Sequence, residues 1–306
     1  MATLFILCGV SGSGKSTEAL NLLKQKAYYS ENTVLVSSDN IREELSFYED
    51  QSRNGEVFKI FHKRIAEALK NGYDCIADAT NITIKSRRSI IEIGKKYNAR
   101  IECRLICTPT QVCLERDAIR QHAVGKDVIE KQIRKFQVPF YEEGFDEIKL
   151  VKTVFNPIVN FTNSYSLLMY NFEQDTPFHK LTLDKHSEKV ANEFKKLLNN
   201  EYMFNLLQDG VLYHDIGKVF TKTVGLDGVA HYYNHENVGA YMYLTDAVSS
   251  NRYIDNYALL QNVFLINYHM RPFGATTERA KEKMKNIFGR MNYELLMMFN
   301  EADKNA

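Results

Sequence analysis

A short apolar run at residues 3–8, TLFILC, leads directly into Gly9-Val10-Ser11-Gly12-Ser13-Gly14-Lys15-Ser16, and helical periodicity starts at Lys15. The spacing G-x4-G-K-[ST] between a strand and a helix constrains this chain more than any other feature. An apolar run without alternation fits a parallel strand covered on both faces. The glycines let backbone N–H groups turn inward around a phosphate, and the helix N-terminus adds its positive end. On this pattern Gly9, Ser11, Gly12, Ser13, Gly14, Lys15, Ser16 and Thr17 are the nucleotide-binding candidates. Lys15 would reach the β- and γ-phosphates, Ser16 would bind Mg²⁺ and Thr17 would touch the α-phosphate. ATP and Mg²⁺ are the cofactors expected for this segment.

The following pattern predicts an α/β domain. β-rich runs at 33–36, 73–77 and 99–107 alternate with helical periodicity at 15–26, 56–71, 83–97, 111–122 and 127–137. Such alternation predicts a parallel sheet with helices on both faces. The pattern changes after about residue 150. Residues 151–176 read as a linker, with turn signals at Asn156–Pro157 and in NFTNS. Beyond Thr176 helices are expected at 182–199, 201–217, 234–249, 255–269, 276–288 and 291–303, with almost no strand. The expected organisation is an α/β phosphate-loop domain over 1–150, a linker over 151–176 and an all-α domain over 177–306. A length of 306 residues suits two domains.

A phosphate loop alone does not separate an ATPase from a kinase. The second strand ends in Val36-Ser-Ser-Asp39-Asn-Ile-Arg42. Strand C-termini line the ligand crevice of open α/β sheets. Asp39 there could take a proton from an acceptor hydroxyl, and Arg42 could hold a second phosphate bidentately. Equally, Asp39 could be a helix N-cap and Arg42 a surface residue. Asp78-Ala-Thr-Asn81 closes the third strand, where Asp78 could orient Mg²⁺ or the acceptor, or cap the next helix. Arg116 and Arg120 are candidates for a lid over ATP that neutralises charge on the transferring phosphoryl group, whereas Lys126 reads as solvated. Residues 85–104 carry an excess of five positive charges, from Lys85, Arg87, Arg88, Lys95, Lys96, Arg100 and Arg104 against Glu92 and Glu102. That excess fits either a nucleic-acid groove or a solvated helix face.

The run GVSGSGKST, Asp39-x-x-Arg42, Asp78-Ala-Thr-Asn81 and Arg116-x3-Arg120 together resemble the 5′-hydroxyl polynucleotide kinase family over roughly residues 1–140. The resemblance implies that Asp39 is the general base, that Arg42 clamps the 3′-side phosphate of the acceptor, and that Arg116 and Arg120 belong to the ATP lid. Lys15 completes that catalytic set.

The second half holds a different constellation. His186, His214-Asp215, His235, His269 and Asp303 are spread over separate predicted helices, with His179 as an outer candidate and His214-Asp215 placed on a helix in VLYHDIGK. Imidazole with carboxylate suits Mn²⁺, Fe, Ni²⁺, Co²⁺ or Zn²⁺, and the lack of Cys there argues against a thiolate zinc site. The ordered set His186, His214-Asp215, Asp303, with YHDIGK and HYYNHENVGA, resembles the HD phosphohydrolase superfamily over roughly residues 176–306. The resemblance implies that His186, His214, Asp215 and Asp303 hold one metal and that His235 and His269 supply ligands to a second. Asp215 is then catalytic as well as a ligand. Lys218 and Arg271 each read as a substrate-phosphate contact or a surface residue. Because the sequence stops three residues after Asp303, fraying of the last helix is expected to weaken the site.

Composition narrows the function classes. Lys plus Arg is 39 and Asp plus Glu is 38, which argues against a protein that coats DNA non-specifically. No run of 18 apolar residues is present, so no membrane span is expected. The N-terminus lacks a positive n-region and does not read as a signal peptide. Five cysteines, odd in number and without a CxxC pair, read as reduced buried thiols in a cytoplasmic protein. A 5′-OH kinase joined to a phosphohydrolase implies nucleic-acid end healing. Its substrates would be polynucleotide ends, RNA favoured over DNA, with a separate RNA ligase acting downstream. The alternatives are a nucleoside or sugar kinase fused to a nucleotide phosphohydrolase, and an ATP-sensing module that gates a metal hydrolase.

Overall fold

The computed structural model describes residues 1–29, 32–45, 53–153, 165–177, 180–250 and 255–306, without the side chains of 28 and 29. The expected turn signals at 156–157 and 160–164, and His179, lie outside the described residues. Packing divides the chain into two compact units, Met1–Gln132 with Pro139–Val154, and Ile133–Val138 with Phe155–Ala306.

The first unit alternates strands and helices: β1 (Thr3–Cys8), α1 (Lys15–Tyr29), β2 (Thr33–Ser37), α2 (Ser38–Glu44), α3 (Asn54–Lys70), β3 (Asp74–Asp78), α4 (Ile84–Lys96), β4 (Arg100–Cys107), α5 (Thr110–Ala118), α6 (Lys126–Ile133) and β5 (Glu147–Lys152). The strands form one sheet in the order β2-β3-β1-β4-β5, with every pair parallel. β1 lies in the middle, which is why TLFILC is apolar without alternation and buried over residues 4–8. Phe5, Leu7 and Ile76 from the sheet pack on Ala19 and Leu22 of α1. The parallel register brings the C-terminal ends of β1, β2 and β3 to one edge of the sheet, where the phosphate loop, the start of α2 and Asp78 meet.

β5 is the strand that the sequence pattern missed. EIKLVK alternates charged and apolar residues, as an outer strand does, and it spans the boundary expected at 150. Two helices are shorter than predicted. α5 ends at Ala118 because the buried Asp117 carboxylate accepts from the N–H groups of Val124 and Gly125, which turns the chain. α6 ends at Ile133, a few residues before Pro139. All five cysteines are free and buried, as the spacing implied.

The second unit is mostly helical: α7 (Tyr165–Met169), α8 (Leu183–Leu198), α9 (Glu201–Leu212), α10 (Lys218–Thr221), a small hairpin β6 (Thr223–Val224) and β7 (Ala230–His231), α11 (His235–Ser249), α12 (Asn256–Tyr268) and α13 (Glu278–Lys304). α13 is interrupted at Gly289, with φ 77 and ψ 167, between the two helices expected there. Phe194 of α8 packs on Phe299 of α13, and Phe288 packs on Phe264 and Tyr268 of α12. The end of α13 does not rest on Asp303 alone, since Leu296, Phe299 and Ala302 are buried. Residues 133–138 are held inside this unit by amide side chains. Asn267 Oδ1 accepts from Val138 N–H, its Nδ2 donates to Phe136 O, and Asn237 Nδ2 donates to Arg134 O. Among the described residues no helix is long and apolar enough to cross a membrane.

Candidate active sites

In the first unit a cleft of about 540 Å³ opens at the strand C-termini. Its walls include Ser11, Gly12, Gly14, Lys15, Ser16 and Thr17 of the loop, Asp39 and Arg42 of α2, Asp78, and Arg116 and Arg120. The loop is braced from outside. Thr108 Oγ1 donates to Ser13 O at 2.7 Å and Arg116 Nη1 donates to the same carbonyl at 3.3 Å. Gly12 adopts φ +75, and a Cβ on it would meet the Cys113 carbonyl oxygen at 2.2 Å, so only glycine fits that turn. Gly9 and Ser13 stand behind the wall, unlike the other loop candidates. Gly9 N–H donates to Thr80 O, Ser13 N–H donates to Val10 O, and both residues shape the turn.

Ser16 Oγ donates to Asp78 Oδ2 at 3.0 Å. A hydroxyl beside a carboxylate is a donor set that fits Mg²⁺. Asp78 does not cap the next helix, because Thr83 does so in a reciprocal box with Ser86. Burial raises the Asp78 carboxyl against the pull of Lys15 and Ser16, and burial lowers the Lys15 ammonium. Lys15 Nζ donates to Val10 O at 2.9 Å.

On the opposite wall, Ser37 is the N-cap of α2, its hydroxyl accepting from Asn40 N–H, so Asp39 is free of that duty. Arg42 is not a surface residue. Its side chain is 19% exposed, Nη1 donates to Asp39 Oδ1 at 2.8 Å and Nη2 donates to Asn54 Oδ1 at 2.9 Å. Asn54, Phe58 and Gln132 are among the cleft residues that had no sequence signal. Asn54 and Phe58 lie one turn apart on α3, and Gln132 sits on α6. Gln132 grips the loop reciprocally, accepting from Ser11 N–H at 2.7 Å and donating to Ser11 Oγ at 3.0 Å.

The basic stretch at 85–104 is not one surface. Arg87 is fully buried and ion-paired with Glu143. Arg104 pairs with Glu102 and Glu18, and Arg100 pairs with Glu147. Lys85, Arg88, Lys95 and Lys96 are exposed, as is Lys126.

In the second unit the predicted helix over 201–217 breaks after Leu212. His214 and Asp215 lie in the turn between α9 and α10, where Ile216 N–H donates to Tyr213 O and Lys218 N–H to Asp215 O. Adjacent side chains on an α-helix diverge by about 100°, so the turn is what lets both face one centre. Gly217 makes room for it, since a Cβ there would stand 1.9 Å from the His235 carbonyl oxygen.

Two trios of candidate ligands result, His186, His214 and Asp303, and Asp215, His235 and His269, the ligand atoms of each within 4.8 Å of one another. Asp215 reaches both. Its Oδ2 is 3.3 Å from His214 Nε2 and 3.9 Å from His186 Nε2, and its Oδ1 is 3.0 Å from His235 Nε2 and 3.5 Å from His269 Nε2. Asp303 Oδ1 is 3.1 Å from His186 Nε2. The Nδ1 atoms of His214, His235 and His269 lie 2.8–2.9 Å from the carbonyls of Val211, Tyr232 and Ile266. A carbonyl only accepts, so each Nδ1 carries the proton and each Nε2 turns a lone pair toward the centre. Buried imidazole and carboxylate lone pairs facing one another fit divalent transition ions.

Lys218 is buried, not superficial. Its Nζ donates to Asp215 Oδ2 at 2.6 Å and to Gln174 Oε1 at 2.9 Å. Burial pushes the Asp215 carboxyl up, but the Lys218 ammonium leads the groups that hold it well below the usual range. Arg271 is exposed at the end of α12, over the Tyr268 ring.

Residues 4–140 match the family model described as an AAA domain. The chain is 25% identical over 218 residues to the L-seryl-tRNA(Sec) kinase of Methanococcus maripaludis, covering 68% of this chain and 81% of that protein. It is 26% identical over 150 residues to a protein of Autographa californica nuclear polyhedrosis virus named for bifunctional polynucleotide kinase/RNA ligase activity, covering 44% of this chain and 20% of that one. A chain in the structure of the Pnkp1/Rnl/Hen1 complex aligns at TM-score 0.34 and 26% identity, over 47% of this chain and 43% of that one. The first unit is a P-loop kinase domain with homology to polynucleotide kinase and tRNA kinase.

Proposed function

We propose that this chain heals nucleic-acid ends. The first unit phosphorylates a 5′-OH from ATP, and the second, an HD-type phosphohydrolase unit, hydrolyses a 2′,3′-cyclic phosphate or a 2′- or 3′-monophosphate. RNA is the favoured substrate, and a separate RNA ligase acts downstream. The observation that carries the kinase half is Asp39 with Arg42 in the cleft that also holds Lys15 and Ser16. Asp39 accepts the hydroxyl proton while the acceptor oxygen bonds to the γ-phosphorus and the bond to the ADP oxygen breaks. Arg42, steadied by Asn54, holds the acceptor phosphate. Lys15, Arg116 and Arg120 offset the charge that builds on the transferring group. Ser16 and Asp78 would hold Mg²⁺, which supplies charge neutralisation when bound.

The second half rests on the two trios joined through Asp215. His186, His214, Asp215, His235, His269 and Asp303 would hold one or two transition ions, which activate water and neutralise phosphoryl oxygens when bound. Asp215 orients the centre, and Lys218 fixes one of its oxygens.

A second assignment has its own support, since the similarity to an L-seryl-tRNA(Sec) kinase runs over 81% of that relative. That name points to an aminoacyl hydroxyl as acceptor.

Separation of function tests the division. Asp215→Ala is expected to abolish metal-dependent phosphate release from a 3′-end while 5′-labelling persists. Asp39→Asn is expected to cut 5′-labelling by roughly 10²-fold or more and to leave the 3′-reaction intact. Loss of both activities in either variant contradicts the division. Labelling of seryl-tRNA in preference to a 5′-OH oligonucleotide favours the second assignment.

A further inference from the structure

Among the described residues that line the kinase cleft, Phe58 is the one aromatic. Asp39, Arg42 and Asn54 present oxygens and nitrogens, and beside them Phe58 presents a benzyl ring to the cleft. Asn54 and Phe58 are four residues apart on α3, hence on one helix face. Asn54 holds Arg42 at 2.9 Å, which places the ring next to the side chain assigned to the acceptor phosphate. The ring is braced from behind. Phe61, fully buried, meets it edge-on with centroids 5.8 Å apart and an interplanar angle of 75°. Phe58 itself is only half-buried. A rigid aromatic face beside a phosphate-binding Arg is the combination that single-strand binders use to stack a base while they hold its backbone. A small aliphatic alcohol would leave that face wet.

We propose that Phe58 is a specificity-determining residue, the platform on which the terminal base of the acceptor stacks. The acceptor is thereby a nucleotide or polynucleotide with a planar base next to its 5′-OH, and not a sugar or an aminoacyl hydroxyl. This inference rests on the 5′-kinase reading and deepens it.

The test uses the full chain, ATP, Mg²⁺ and two RNA oligonucleotides that differ only at the 5′-terminal residue, one with a purine and one abasic. The wild type is expected to prefer the purine end by about tenfold in kcat/KM, in line with stacking on aromatic side chains. Phe58→Leu, which keeps an apolar side chain, is expected to process both at the abasic rate with the KM for ATP unchanged. Phe58→Trp is expected to restore the preference. Equal labelling of the two ends by the wild type overturns the platform and leaves the kinase reading standing. Equal losses on both ends in Phe58→Leu mark a merely structural ring and overturn it too. A wild type that labels neither end overturns the kinase reading, and the platform with it.

Discussion

Arg87 carries a charge into a place where charge is costly. Its guanidinium is fully buried, donating to Glu143 from Nε at 2.9 Å and from Nη2 at 2.7 Å, and from Nη1 to Asn81 O. Removing one partner strands the other in the interior. Arg87→Met is expected to lower stability by about 3–5 kcal/mol, whereas Arg87→Met with Glu143→Leu recovers most of that loss. Urea unfolding of the two variants checks it, and equal losses in both would contradict a desolvation origin. In the sequence Arg87 stood among seven basic residues with nothing to set it apart. Charge is written in the sequence, but which side of a helix the sheet covers is not. The same holds for Lys218. A lysine three residues after Asp215 reads equally well as solvent-facing until the turn at 213–217 folds it inward. Lys15 and Ser16 needed no such context, because a motif tied to the end of a strand fixes its own surroundings, whereas Asp39 read equally well as a helix cap until Ser37 took that role.

Strands and helices were legible where periodicity was strong. β1 to β4 and the main helices lie within a few residues of their sequence spans, since buried parallel strands write continuous apolar runs. β5 was lost because an outer strand half exposed to water resembles a charged loop. The helix expected over 201–217 was lost at its end because apolar spacing persists through a turn whose hydrogen bonds have already changed. The convergence of the candidate ligands in the second unit depends on that turn, and the sequence shows those residues but not their convergence. The sheet also carries a pH dependence. Cys75, the second residue of β3, is buried, and burial pushes its thiol up to about 12 from the usual 9.0. Between those values the unfolded chain releases the proton and the folded chain retains it. The folded state then binds more protons, so stability is full below pH 9 and falls as pH rises toward 12. Melting temperature is expected to drop between pH 8 and pH 10, and Cys75→Ala is expected to flatten that drop. An unchanged slope in Cys75→Ala would assign the loss to other groups.

At the scale of the whole molecule, the sequence separates an alternating half from a helical half, and packing divides the chain into two units near the same place. The six residues 133–138 are the exception. They precede the change of pattern yet belong to the second unit, since Asn237 and Asn267 grip their backbone, a non-local tie that no local pattern records. The kinase nature of the first unit rests on motif, fold and relatives together, and the hydrolytic activity proposed for the second rests on its two joined trios of candidate ligands. The central claim is that the two halves convert opposite ends of one broken strand. A single short RNA with a 5′-OH and a 2′,3′-cyclic phosphate tests it most directly, incubated with labelled ATP and Mg²⁺, then with Mn²⁺, Ni²⁺ or Co²⁺, with both termini resolved. The expected result is a labelled 5′ end together with a 3′ end opened or freed of phosphate. An RNA left unchanged at both ends, while phosphate is still released from free nucleotides, would contradict it.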